Sequence, residues 1–178
     1  NVGSFTASDI KLGGELNITN SKNSSITGAI IDSDGAHLAS LTKSGAGTVT
    51  LTGANTYTGA TTISAGTLAL SGSGAIASSS GVAANGTFDI SGVTTSASIV
   101  TLSGSGTVTL GGKLLTITNG STTFSGAIGG TGGQLTISGG TETLSASSGY
   151  TGATIISSGA NLTLRSEEHT SELQSRLH

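Results

Sequence analysis

Seven short runs alternate an apolar residue with a mostly hydroxylated one, and no other feature limits the possible folds so strongly. They are Thr48-Val49-Thr50-Leu51-Thr52, Thr67-Leu68-Ala69-Leu70-Ser71, Thr87-Phe88-Asp89-Ile90-Ser91, Thr107-Val108-Thr109-Leu110, Leu115-Thr116-Ile117-Thr118, Leu135-Thr136-Ile137-Ser138 and Asn161-Leu162-Thr163-Leu164. A period of two puts every second side chain on one face, so each run reads as a strand with one buried side. The inward positions then include Val49, Leu51, Leu68, Leu70, Phe88, Ile90, Val108, Leu110, Ile117, Leu135, Ile137, Leu162 and Leu164. Breaks such as Ser44-Gly45-Ala46-Gly47, Ser71-Gly72-Ser73-Gly74, Ser103-Gly104-Ser105-Gly106 and Gly129-Gly130-Thr131-Gly132-Gly133 are turns, and at this frequency they leave no room for helices.

Strand ends recur about every 20 residues, at Leu51, Leu70, Ile90 and Leu110. That spacing belongs to solenoids, in which each repeat is a coil stacked on the last. An immunoglobulin-like sandwich would need larger core residues and some proline. Here 30 of 178 residues are Gly, 30 Ser and 30 Thr, with no Pro, Cys, Met or Trp. A thin interior of aliphatic ladders suits such small residues. Outward Thr would stack on Thr of the next coil, each pair contributing roughly 0.2–1 kcal/mol, and Gly would turn the corners with positive φ. Disordered chains are usually charged and weakly hydrophobic, whereas this one is 34% hydrophobic and 8% charged, so where its apolar residues fall decides between disorder and a fold. The expected architecture is an all-β parallel solenoid over residues 1–164, with about eight coils at about 4.8 Å each, open at both ends and prone to aggregate or fray unless capped.

A longer repeat lies above the coil. Leu12-Gly13-Gly14-Glu15-Leu16-Asn17-Ile18-Thr19-Asn20 returns as Leu110-Gly111-Gly112-Lys113-Leu114-Leu115-Thr116-Ile117-Thr118-Asn119. Thr27-Gly28-Ala29-Ile30 returns as Ser125-Gly126-Ala127-Ile128, and Tyr57-Thr58-Gly59-Ala60-Thr61-Thr62-Ile63 returns as Tyr150-Thr151-Gly152-Ala153-Thr154-Ile155-Ile156. The order is kept at offsets of 98, 98 and 93, which reads as an internal duplication of about 12–70 in about 110–164.

The stretch from Leu41-Thr42-Lys43-Ser44-Gly45-Ala46-Gly47 through Gly53-Ala54-Asn55-Thr56-Tyr57-Thr58-Gly59 to Ala65-Gly66-Thr67-Leu68 resembles the autotransporter-associated β-strand repeat, or passenger-associated transport repeat. A second copy from Leu135 to Leu164 departs from it: Glu142 stands where the first has Val49, and Ser148-Gly149-Tyr150 replaces Asn55-Thr56-Tyr57. The resemblance implies a right-handed parallel β-helix from the secreted passenger of a type V autotransporter of a Gram-negative bacterium. It also implies passage through the outer membrane with help from a C-terminal β-barrel of the same full-length chain, a surface or extracellular location, and a repeat that aids secretion and folding. The expected role is a non-catalytic stalk or adhesin segment that meets a host-cell, matrix or neighbouring-cell surface. The alternative is the scaffold of a displayed enzyme whose active site lies elsewhere.

The residues offer little chemistry of their own. His37 beside Asp32, Asp34 and Gly35 reads as a polar loop, because the later calcium ligands and bidentate Glu are missing. No Ser lies in G-x-S-x-G, and Gly-x-Gly strings lack the following helix that would hold a phosphate. Asn-x-Ser/Thr at Asn17, Asn23, Asn85, Asn119 and Asn161 is expected by chance in so much Asn, Ser and Thr. Tyr57 and Tyr150 occupy matching positions and read as structural corner residues in preference to ligand-stacking ones. Hence no catalytic, cofactor-binding or metal-binding residue is assigned, no cofactor is expected, and the chain is not read as an enzyme. A net charge of −3 disfavours nucleic acid as a partner. The absence of cysteine suits export through an oxidising compartment. No apolar run approaches the roughly 18 residues of a membrane span, and the opening at Asn1 suggests a piece of a longer protein.

Composition breaks after Leu164. Residues 165–178 hold five of 15 charged residues and no Gly. Arg165-Ser166-Glu167-Glu168-His169-Thr170-Ser171-Glu172-Leu173-Gln174-Ser175 resembles a translated sequencing-library adapter, which implies a non-native tail that leaves the stack as a disordered or marginally helical appendage.

Overall fold

The alternating runs become strands, and every strand pair is parallel in the computed structural model, which describes residues 3–5 and 9–165. Eight strands form the first face: Gly3–Phe5, Ser24–Ile26, Thr48–Leu51, Thr67–Gly72, Thr87–Val93, Thr107–Thr109, Ala127–Gly130 and Gly149–Tyr150. Between successive visits to this face the chain makes two others. The second carries Ile10–Leu12 and Ile30–Asp32, then Ser96–Ile99, Leu114–Ile117, Gln134–Ile137 and Thr154–Ile156. The third runs from Glu15–Ile18 through Ser40–Lys43, Thr61–Ile63, Val82–Ala84 and Leu102–Ser103 to Thr123–Phe124, Thr141–Leu144 and Asn161–Leu164, its two sheets joined by the Gly104 to Phe124 bridge. The result is a three-sided β-solenoid of eight coils, with no helix among the described residues. Beyond Arg165, the tail expected over 165–178 lies outside the described residues.

Register is what makes the interior continuous. Val49, Leu68, Phe88, Val108 and Ile128 lie directly above one another on the first face, and all are fully buried. Burial of each such side chain is worth roughly 1.5–3 kcal/mol. On the outer side of the same strands Thr48, Thr67, Thr87 and Thr107 form the expected ladder, and Thr123, Thr143 and Thr163 form another on the third face. Of the expected inward residues, Leu162 and Leu164 are only half-buried. They belong to the eighth coil, which covers the seventh and has no described coil above it. The other eleven are buried.

Glycine at the corners serves mainly closeness and only in part positive φ. At the corner leading from the third face to the first, Gly66, Gly86, Gly106 and Gly126 stack in one column. A Cβ on Gly86 would lie 2.6 Å from Gly66 O, one on Gly106 2.0 Å from Gly86 O, and one on Gly126 1.9 Å from Gly106 O. Each carbonyl occupies the space that a side chain of the next coil would need. Of the four, only Gly66 has positive φ, at 66°.

The sequence repeat does not coincide with the coil. Leu16 and Ile18 stand on the third face, whereas their counterparts Leu115 and Ile117 stand on the second. Ile30 lies on the second face and Ile128 on the first; Thr61 lies on the third and Thr154 on the second. Every matched pair is displaced by one face, a third of a turn. The fall in offset from 98 to 93 also has a structural origin. From Ile10 to Ile30 the register advances by 20 residues, but from Leu16 to Leu41 it advances by 25. The additional residues form the loop between Asp32 and Ser40, for which the second copy has no equivalent of the same length.

Candidate functional site

The loop is the one place where sequence reasoning could assemble ionisable groups. Asp34 Oδ1 lies 2.8 Å from His37 Nδ1 and accepts the Ala36 and His37 amides at 2.9 Å, closing a tight turn. That His37 contact, followed by the Ala36 amide, holds the Asp34 carboxyl below its ordinary range. Asp32 faces away from this pair. Its Oδ1 accepts the Ala39 amide at 2.7 Å and its Oδ2 accepts the Thr58 hydroxyl at 2.7 Å, so it ties the loop to the coil above; the Ala39 amide, then the Thr58 hydroxyl, lowers its pKa. Gly35 has open space about it. Among the described residues no group of three His, Cys, Asp or Glu is placed to hold a metal ion. His37 and Asp34 are both more than half exposed, a setting in which ion pairs contribute about 0–1 kcal/mol. Replacing His37 with Ala is therefore expected to leave the thermal unfolding midpoint essentially unchanged.

Polar chemistry is concentrated instead inside the solenoid, where the sequence reading did not place it. Lys43 occupies an inward position between Ile18 and Ile63 and is fully buried. Its Nζ donates to Gly45 O and, at 3.4 Å, to Ala65 O, and desolvation lowers its pKa. Thr61 is buried between Leu41 and Val82, where its Oγ1 meets Tyr57 Oη at 2.6 Å and Ser79 Oγ at 2.9 Å. Burial pushes the Tyr57 hydroxyl up to about 12. The second copy repeats the device, with Tyr150 Oη 2.6 Å from Thr154 Oγ1. The matched tyrosines thus fill the interior and join their hydroxyls to a buried threonine four residues on.

Glu142 is also fully buried, below Leu162 and above Thr122. Thr122 Oγ1 lies 3.3 Å from Glu142 Oε2 but only 2.6 Å from Leu102 O. One hydroxyl has one proton, and the shorter contact takes it. A protonated Glu142 completes the chain by donating to Thr122 Oγ1. Desolvation raises its pKa from 4.5 to about 7, against the backbone hydrogen bonds from Thr122 and Ser121 that favour the charged form.

Asn55 closes a different gap. Its Oδ1 accepts the Ile30 amide at 2.9 Å, and its Nδ2 donates to Gly53 O at 2.8 Å and to Ala75 O at 2.9 Å, so one amide side chain joins three successive coils. In the second copy the equivalent is Ser148, whose buried Oγ has no partner. Asn55→Ala leaves the buried Ile30 amide unsatisfied and is expected to cost about 2 kcal/mol in urea unfolding. The signal for Lys43 and Glu142 was present in the alternation, since they are in phase with inward Leu41 and Leu144.

The outward surfaces carry Thr, Ser, Asn and Ala with few charges. Gly104-Ser105-Gly106 is a corner, and among the sequons Asn17 Oδ1 accepts the Ser44 hydroxyl at 3.0 Å, while Asn23 and Asn85 accept backbone amides of the next coil. Asn119 and Asn161 also lie exposed at the surface. Large exposed apolar residues are Leu38 on the loop, and Ile155 and Ile156 on the last coil.

The model of the passenger-associated-transport-repeat matches residues 41–70 and 138–160. Both matched stretches fall where the resemblance placed them. No curated protein and no solved structure gives a significant match. In the structure each copy runs through five successive faces, one and two-thirds coils, as four strands in the first copy and five in the second, and its last two strands stack on its first two: Leu41 pairs with Thr61 and Val49 with Leu68, as Leu135 pairs with Thr154 and Glu142 with Leu162.

Proposed function

We propose that this chain, which carries two passenger-associated-transport-repeats in a β-solenoid, is a non-catalytic stalk or adhesin segment of a type V secreted autotransporter. The repeat and the solenoid fit a segment of an autotransporter passenger, and the matched repeat is the observation that carries the reading. The solenoid supports it physically. Parallel coils add one upon another, so a chain emerging from a pore can fold coil by coil, each coil templated by the exposed strands of the last. Zero cysteines remove the disulfides that would obstruct passage of an extended chain. The proposed location is the bacterial cell surface or its exterior, reached through a C-terminal β-barrel, and the proposed partner is a host-cell, matrix or neighbouring-cell surface. Weakly charged outer faces of Thr and Ser are suited to a spacer that holds a binding element away from the membrane.

Fusion between a signal peptide and an autotransporter barrel tests the reading. Protease added to intact cells is expected to digest the fused segment, and an antibody to label it from outside. Retention in the periplasm or cytoplasm, or hydrolytic activity of the purified chain, counts against it.

A further inference from the structure

We propose that the loop from Ser33 to Leu38 is a processing site, at which an endopeptidase selective for an aliphatic side chain cuts the His37–Leu38 bond and leaves a two-chain rod whose pieces stay assembled. An endopeptidase takes its substrate as an extended strand, through backbone groups that must be free of other partners. Most of the solenoid withholds them, because its strands are paired with the coils below and above. Residues 33–38 differ. All six are exposed, the longest such run among the described residues. They belong to the excursion that lengthens the register step from Leu16 to Leu41 to 25 residues.

Three features single out the bond before Leu38. The loop is held largely by itself: the Ala36 and His37 amides donate to Asp34 Oδ1 at 2.9 Å, a surface carboxylate of the same loop, so the segment can open without disturbing a coil. Leu38 is 61% exposed and offers an aliphatic side chain to a specificity pocket, whereas residues 33–38 hold no Lys or Arg for a protease that selects basic residues. The bond after Leu38 is protected, since Ala39 is fully buried and its amide donates to Asp32 Oδ1 at 2.7 Å. Hydrolysis adds one water across the scissile bond. The His37 carbonyl carbon takes the hydroxyl and becomes a carboxylate, and the Leu38 nitrogen leaves with the proton as a new amino terminus. Neither piece depends on the loop for its place. Ser24–Ile26 stays paired under Thr48–Leu51 and Glu15–Ile18 under Ser40–Lys43, while the Ile30 amide stays bonded to Asn55 and Asp32 to Ala39 and Thr58.

The test exposes the full folded chain to thermolysin, a metalloendopeptidase that cuts on the amino side of large aliphatic residues, and reads the new termini by mass spectrometry. Within residues 9–164 the first cut is expected at His37–Leu38. The pieces on either side of it are expected to co-elute at the size of the uncut chain in native size exclusion and to part in urea. Leu38→Asp, a substitution at an exposed position, is expected to lose this cut and leave urea unfolding unchanged. Asp34→Ala, which frees the Ala36 and His37 amides, is expected to speed the cut about tenfold, because the rate follows the population of the open loop. A first cut within a strand, a loop left whole by an amount of enzyme that digests the chain in urea, or an equal rate in Leu38→Asp overturns the site. Pieces that separate without denaturant overturn the two-chain rod.

Discussion

Gly106→Ala is expected to remove more than about 3 kcal/mol of stability and leave little folded chain at 37 °C, whereas Gly129→Ala changes stability by less than about 1 kcal/mol. The contrast lies in what each methyl meets. At Gly106 the added carbon falls 2.0 Å from Gly86 O and also near Asn85, all backbone, and Gly126 above is itself packed on the Gly106 carbonyl. The column from Gly66 to Gly126 must move together if one member moves. Overpacking a close-packed interior costs about 1–3 kcal/mol where side chains can yield, and here only backbone is available. At Gly129 there is no atom within 4 Å and φ is not positive, so the methyl is tolerated and the unfolded chain loses freedom. Urea unfolding of both variants measures the difference. Equal stabilities would show that the corners are slack.

Lowering the pH from 8 to 5 is expected to stabilise the protein by about 3 kcal/mol, through Glu142. Its pKa rises from 4.5 unfolded to about 7 folded because the carboxyl is buried in the ladder column. A carboxyl with a raised folded value contributes its stability fully below 4.5 and loses it as the pH rises through about 7. Other groups act in other windows. Asp32 and Asp34, with lowered values, contribute above 3.8 and lose their contribution as acid is added; Lys43, also lowered, carries its burial cost while protonated and recovers it towards 10.5. Glu142→Gln isolates the effect, because the amide can still donate to Thr122 Oγ1 and cannot ionise. Urea unfolding of the variant is expected to lose the Glu142 part of the difference between pH 5 and pH 8. If wild type and variant show the same dependence, Glu142 is not the source.

How the fold was legible follows from these same residues. A strand buried on one side writes itself as alternation, so Val49, Leu51, Phe88 and Val108 could be placed inward from the sequence, and the 20-residue recurrence gave the coil. Tyr57 and Tyr150 read as structural corner residues from their matching positions, but their burial in the interior and their threonine partners did not show, because a hydroxyl at an inward position looks like any other Thr until the strand phase is taken literally. Lys43 and Glu142 were hidden for the same reason: hydropathy assigns charge to the surface, and here phase overrides hydropathy. The corner column was hidden differently. Positive φ is a local property, but the need for glycine at Gly86, Gly106 and Gly126 arises from a carbonyl twenty residues away, which only the register reveals.

The displacement of the recurring motifs by one face bears on how such a chain can lengthen. If the three sides had distinct interiors, a segment copied out of phase would put its residues against the wrong neighbours and be lost. Instead Ile30 and Ile128 are fully buried on different sides, and Thr61 and Thr154 each meet a tyrosine hydroxyl on different sides. The unit of growth is then one strand and its corner, about a third of a coil, and not a full turn. A further strand that keeps the alternation and the corner glycine would extend the rod by a third of a coil and leave its cross-section unchanged.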